Sequence, residues 1–300
     1  MSEAAAVPAT PALVPASQPR PVVLLLHRSW RQARTKVGVG MVLLLVGIAV
    51  LGPLFAPHSP SAFVGAPFTG PTRHAWLGTD NLGRDVFSRF LWGGRSVLGL
   101  ALAATAIGLA LGVTIGLFAA YSQAMGDDIL MRAMDVILAF PSIVLALVAV
   151  ATVGPQLWLL VLVVGITTAP RVSRVTRGSS VEIVNRDFVA AAAAIGEPRR
   201  KILLGEILPN VASPLLVEAS LRLTYSVGLI AALSFLGFGV QPPAADWGLM
   251  INENRQGLTV QPWGVVAPVL AIALLTIGTS LIGDGVARAS AGIERGGGEE

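Results

Sequence analysis

The feature that most constrains this chain is how its apolar residues are grouped. They come in blocks, and Val37–Ala56, Val97–Tyr121, Met134–Val153, Gln156–Ala169, Pro214–Val240 and Trp263–Gly283 read as membrane spans. About 20 apolar residues in a row suffice to cross the hydrocarbon of a bilayer. A backbone there must satisfy its polar groups within the segment, which leaves the helix as the form for isolated apolar blocks. The predicted fold class is therefore all-α: a polytopic membrane helix bundle of about six transmembrane helices. Composition agrees, with 54% hydrophobic and 13% charged residues, where a soluble domain carries about 25% charged.

Charge sets the expected topology. Fifteen of the 21 Lys and Arg fall in the leader, at Arg132, between Arg171 and Lys201, and in the tail, against five between spans on the other side. The positive-inside rule then places both termini in the cytoplasm. Five of the six tryptophans, all but Trp30, fall on the outer side as an aromatic belt would. The pI near 10.3 comes with a net charge of only +4, and the basic residues flank spans, so no nucleic-acid partner is implied. There is no cysteine, and the three histidines are scattered, which excludes thiolate metal sites and an HExxH pair.

The expected organisation has three parts. Residues 1–36 form an Ala/Pro-rich disordered cytoplasmic leader with a basic flank. Residues 37–288 form the transmembrane domain, with an extracytoplasmic loop at 57–95 and a cytoplasmic loop at 171–213. Residues 289–300 form a polar cytoplasmic tail. In the first loop, Val86, Phe87, Phe90 and Leu91 share one helical face, and Asp85 and Arg89 are spaced to pair at i,i+4. That predicts an amphipathic helix lying at the interface. Gly108, Gly112 and Gly116 repeat every four residues, a stripe suited to close helix packing. Pro141 is placed to kink the third span. Glu218 and Arg222 are spaced to neutralise each other.

Residues 185–210, NRDFVAAAAAIGEPRRKILLGEILPN, form a polar, basic island that cannot span. It reads as two short helices. The first starts after Asn185 or Asp187, both good N-cap types, and stops at Gly196, and the second runs from Pro198 to a break at Leu208-Pro209. The five alanines at 190–194 make a slim rod able to approach another protein closely. No G-x4-G-K-[ST] sequence occurs, so the chain has no phosphate-cradling loop for ATP. No nucleophile–base or paired-carboxylate arrangement is legible either, and the chain is not read as an enzyme.

The island carries a resemblance. Ala191, Ala192, Gly196, Leu208 and Pro209 match the E-A-A-x3-G-x9-I-x-L-P loop of bacterial ABC-importer permeases, with Ala190 standing where that pattern has Glu and Glu206 where it has Ile. The strings LGTDNLGRDVFSR, DDILMRAMDVILAFPSIVLAL and ALSFLGFGVQPPAADWG resemble the second permease subunits of dipeptide, oligopeptide and nickel importers, over roughly residues 30–288.

The resemblance implies a permease forming half of a pathway for short peptides in the bacterial inner membrane. Its implied partners are a second homologous permease subunit, two ATP-binding cassette subunits that bind the ATP, and an extracytoplasmic solute-binding protein. Asp187, Ala191, Ala192, Gly196, Leu208 and Pro209 would form the ATPase-coupling loop. No cofactor is implied in this chain, and the solute-contacting residues stay unassigned. Nickel or another small solute is the alternative cargo. An ion-coupled secondary transporter and an intramembrane enzyme or scaffold are the other classes weighed, and the inverted repeats and midplane charges common in secondary transporters are not evident.

Overall fold

The computed structural model describes residues 21–122 and 125–296. The chain runs through α1 (Pro21–Trp30), α2 (Ala33–Phe55), α3 (Val86–Tyr121), α4 (Met125–Leu138), α5 (Ser142–Val153) and α6 (Leu157–Val184). It continues through α7 (Asp187–Ala194), α8 (Arg199–Lys201), a π-helical turn at Ile202–Ile207, α9 (Leu208–Asn210), α10 (Ala212–Phe235), α11 (Trp247–Asn254) and α12 (Trp263–Gly296). Helices α2, α3, α6, α10 and α12 are each long and apolar enough to cross a membrane, and the bent pair α4–α5 makes a sixth crossing if taken as one. The all-α polytopic bundle predicted from the apolar blocks is what forms.

The bundle is built around α3. It packs most extensively on α6, while α12 packs on α2 and α10. The predicted stripe is the reason α3 and α6 approach so closely: a Cβ on Gly112 would meet Val172 and the Ala169 carbonyl, and one on Gly116 would meet Thr176 and the Ser173 carbonyl. Small residues give such contacts in lipid, where apolar burial alone does not drive helices together. The hydroxyls of Thr168, Ser173 and Thr176 on the facing side bond back to carbonyls of their own helix. The main core joins Val97, Ala101 and Ala104 of α3 to Leu160 and Val164 of α6 and to Val227, Ile230 and Leu233 of α10.

Several expectations change. The helix predicted to lie at the interface is the first part of α3, which runs unbroken from Val86. Asp85 and Arg89 do not pair. Asp85 is the N-cap of α3, accepting from the amides of Phe87 and Ser88 and from the Ser88 hydroxyl, so its oxygens are taken by the open first turn. Trp247 is fully buried and no belt residue: its indole N–H donates to the Phe90 carbonyl at 2.9 Å and its ring stacks on Phe90. The α6 helix continues past Ala169, through Pro170, to Val184. Pro141 does more than kink the third span: α4 and α5 are separate helices bent by 77°.

Within the stretch expected to be a leader, Pro21–Trp30 is helical, with Leu25 buried against Val286 and Ala289 of α12. Residues 1–20 and 297–300, which include the ends of the expected leader and tail, lie outside the described residues.

Candidate functional site

The island at 185–210 folds as a unit against the ends of α3 and α6. Its first helix, α7, stops where predicted: Gly196 takes φ +83°, its N–H donates to the Ala193 carbonyl, and the Glu197 N–H donates to the Ala192 carbonyl. These two bonds form a Schellman end, whose left-handed residue favours glycine. A Cβ at Gly196 would meet nothing within 4 Å, so conformation alone selects the residue there.

The second half departs from expectation. Leu208-Pro209 does not end the helix. Proline lacks the N–H for the α-helical ladder, and its ring crowds the carbonyl four residues back. The chain absorbs this by widening into a π turn, in which the Leu208 N–H donates to the Leu203 carbonyl five residues earlier.

Under the loop lies a small core of its own, Leu117 with Val189, Ile202, Leu203 and Ile207, and Ala192 and Leu208 pack against it. The six predicted coupling residues therefore divide. Asp187, Ala191, Gly196 and Pro209 are exposed, whereas Ala192 and Leu208 are half-buried and hold the loop to α3.

Two residues escaped the sequence reading. Phe188 and Ile195 are 42% and 78% exposed, and with Ala191 between them they fall at i, i+3 and i+7 along α7 and its C-cap residue, Ile195. The spacing was legible, but apolar residues at helical spacing ordinarily signal a buried face. Lys201 donates to the Glu197 carboxylate at 2.5 Å, and that hydrogen bond holds the exposed ammonium above its ordinary pKa.

At the opposite end of α3 the chain builds a compact cap from residues 57–85 and α11. Arg84 and Arg89, almost wholly buried, face Asp80 and Glu253: Arg84 lies 2.6 Å from Asp80 and 3.1 Å from Glu253, and Arg89 lies 2.7 Å from Glu253 and 3.4 Å from Asp80. The Asn81 amide N–H donates to Asn254 Oδ1, and Gln261 Nε2 donates to the Leu77 carbonyl. The LGTDNLGRDVFSR string is thus the latch joining the first loop to the last one. Asp246, the N-cap of α11, accepts from the Ser96 hydroxyl at 2.5 Å and the Leu249 amide at 3.1 Å, and burial pushes its carboxyl pKa up despite those donors. Among the described residues, no three His, Asp or Glu side chains gather to hold a metal ion.

One rigid rod therefore joins an exposed apolar loop face to a latched cap. At 1.5 Å per residue the 36 residues of α3 span about 54 Å. Its first turn lies in the cap and Leu117 lies in the core under the loop.

Residues 112–291 match the family described as "Binding-protein-dependent transport system inner membrane component". The chain is 36% identical over 262 residues to a glutathione transport system permease protein, GsiD, of Pectobacterium atrosepticum, covering 86% of this chain and 87% of that one. It is 35% identical over 270 residues to a dipeptide transport system permease protein, DppC, of Alkalihalophilus pseudofirmus, covering 86% and 88%. It is also 35% identical over 279 residues to GsiD of Escherichia coli O157:H7, covering 91% and 92%. With its apolar spanning helices and a match over more than half its length, the chain belongs to the family of inner-membrane permease components of binding-protein-dependent ABC importers.

Proposed function

We propose that this chain forms half of the pathway for short peptides in an ABC importer and couples it to ATP hydrolysis through the loop at 187–209. The observation that carries the peptide assignment is the similarity of 35–36% to permeases named for a dipeptide and for glutathione, sustained over 86–91% of the chain. Both solutes are small peptides with free carboxylates. A second, homologous permease completes the pathway, two ATPase subunits lie at the loop end, and a solute-binding protein meets the cap. Both termini are cytoplasmic, which agrees with the excess of Lys and Arg on the loop side.

The coupling role is supported by the loop's construction. Phe188, Ala191 and Ile195 offer an apolar face to a partner, and the core beneath ties that face to α3. Displacement of the loop by closing ATPases is then carried into α3 and α6, because a packed core shifts as a body. Switching the pathway from 1:99 to 99:1 requires about 5.5 kcal/mol of differential interaction.

The test is reconstitution of the chain with its partner subunits in proteoliposomes. ATP-dependent uptake of dialanine or reduced glutathione is the expected result. Uptake by this chain alone, driven by an ion gradient, would replace the proposal with a secondary transporter.

A further inference from the structure

Three arginines follow one another at every third position of α6, and the fold neutralises only two of them. Arg174 pairs with Asp135 of α4 at 2.5 Å, and Arg177 makes a two-pronged pair with Asp127 of α4. Arg171 has no carboxylate partner among the described residues. Its guanidinium lies 5.4 Å from the centre of the Tyr225 ring. Arg222 approaches the same ring at 6.0 Å, and Glu218 neutralises it at 2.8 Å. The local inventory of charge thus leaves Arg171 with one positive charge unmatched.

Arg171 borders a cavity of about 380 Å³ at the break between α4 and α5. Tyr225, Ser142 and Thr167 add hydroxyls to its wall, and the Tyr225 and Ser142 hydroxyls are hydrogen-bonded to each other. Phe140 and Leu229 supply apolar surface. Small-molecule sites have this character: a few hundred Å³, apolar walls and a few convergent polar groups. Irregular backbone at membrane depth is tolerated where it lines a cavity, as at this break. Arg171 is exposed where the apolar part of α6 ends, so its guanidinium is open to an anion that enters this cavity.

We propose that this cavity is a carboxylate-binding subsite on the solute pathway. The Arg171 fork receives the C-terminal carboxylate of a passing peptide, and the Tyr225–Ser142 hydroxyl pair orients it. A guanidinium matches a carboxylate with two parallel hydrogen bonds, which a lysine ammonium does not reproduce. The solute's identity rests on the peptide reading above, whereas the preference of the cavity for anions does not.

The test uses the complete importer and exploits the absence of cysteine from this chain. Ser142→Cys, and separately Phe140→Cys, are reacted with an anionic methanethiosulfonate (2-sulfonatoethyl) and a cationic one (2-trimethylammonioethyl), against the complex carrying the unmodified chain. The anionic reagent is expected to react about tenfold faster relative to the cationic one, compared with the same ratio in an Arg171→Gln background, as field focusing in a low-dielectric cleft requires. Arg171→Lys should retain the preference. Dialanine should slow labelling, and its C-terminal amide should not.

A ratio unaffected by Arg171→Gln would overturn the proposal. So would absence of labelling at both positions with and without ATP, since the cavity would then lie off the solute path. Anion preference that persists in an importer unable to take up dialanine would support the carboxylate site and remove the peptide as its ligand.

Discussion

The guanidinium of Arg89 lies 2.7 Å from the carboxylate of Glu253, on a helix that begins more than 150 residues later. Both side chains are buried or nearly so, and each also touches a second member of the Asp80–Arg84 pair. Two positive and two negative charges therefore close on themselves inside the cap. Such a group holds its register strongly, because loss of one member strands the others out of water.

Glu253→Gln leaves Asp80 to balance two buried guanidinium groups. The expected loss is about 3–5 kcal/mol, the usual cost of breaking a buried pair. Arg89→Met combined with Glu253→Gln restores a neutral Asp80–Arg84 pair and should recover most of it. Melting temperatures in detergent measure both, and additive losses in the double variant would show that the four charges do not act together.

Asp246 gives the cap a pH dependence of opposite sign to a salt-bridged carboxylate. Burial raises its folded-state pKa above the unfolded value, so the folded protein holds the proton more tightly. Its contribution is fully present below the ordinary carboxylate value and is lost as pH rises through the raised folded one. Asp246→Asn keeps an acceptor for the Leu249 amide and offers a donor to Ser96, so it should flatten this part of the profile. Melting curves of both proteins from about pH 3 to about pH 8, bracketing the unfolded value near 3.9, make the comparison.

The two alanines of the loop should respond differently to the same substitution. Ala191 is exposed, so Ala191→Arg should leave the melting temperature unchanged and abolish copurification of the ATPase. Ala192 packs on the small core, so Ala192→Arg should lower the melting temperature as well, overpacking typically costing about 1–3 kcal/mol. Ile195→Asp should resemble Ala191→Arg. Normal ATPase binding by Ala191→Arg and Ile195→Asp would remove this face from the coupling contact.

Gly112 and Gly99 stand on the same helix in different surroundings. Gly112→Val drives its side chain into Val172 and should separate α3 from α6, seen as loss of a monodisperse complex in detergent. Gly99 has nothing within 4 Å of its added Cβ, and Gly99→Ala should be neutral or slightly stabilising, since alanine favours the helix. Equal tolerance at both sites would show that close packing along the stripe is not required.

Orientation is open to direct labelling, since the chain has no cysteine. The exposed positions Ser61 and Gln256 on the cap side, as cysteines, should react with an impermeant maleimide in intact cells. Asn185→Cys, on the loop side, should react only after the membrane is opened. The reverse pattern would place the loop away from the cytoplasmic ATPases.

What the sequence determined by itself was local. Span length located the helices, four-residue spacing revealed the stripe of Gly108, Gly112 and Gly116, and Gly196 marked the end of α7 because only a left-handed residue closes that turn. Glu218 and Arg222 pair as their spacing predicts, because both lie on the same turns of α10. Tertiary structure decided the choices among distant partners. Asp85 has the spacing to meet Arg89, but it sits just before the helix, where the open first-turn amides take its carboxylate. Arg89 turns instead to Glu253, which only the folded cap brings near.

The same limit explains Trp247, whose place under Phe90 depends on two loops meeting, and Phe188 and Ile195, whose pattern reads as buried until the fold leaves them exposed. It explains Arg171 too. Three arginines in a row look alike on the chain, and only the position of Asp127 and Asp135 on α4 leaves one of them free of a counter-charge among the described residues. Pairing of charges in a bundle is fixed by which helices become neighbours, and one-dimensional spacing carries that information only within a single helix.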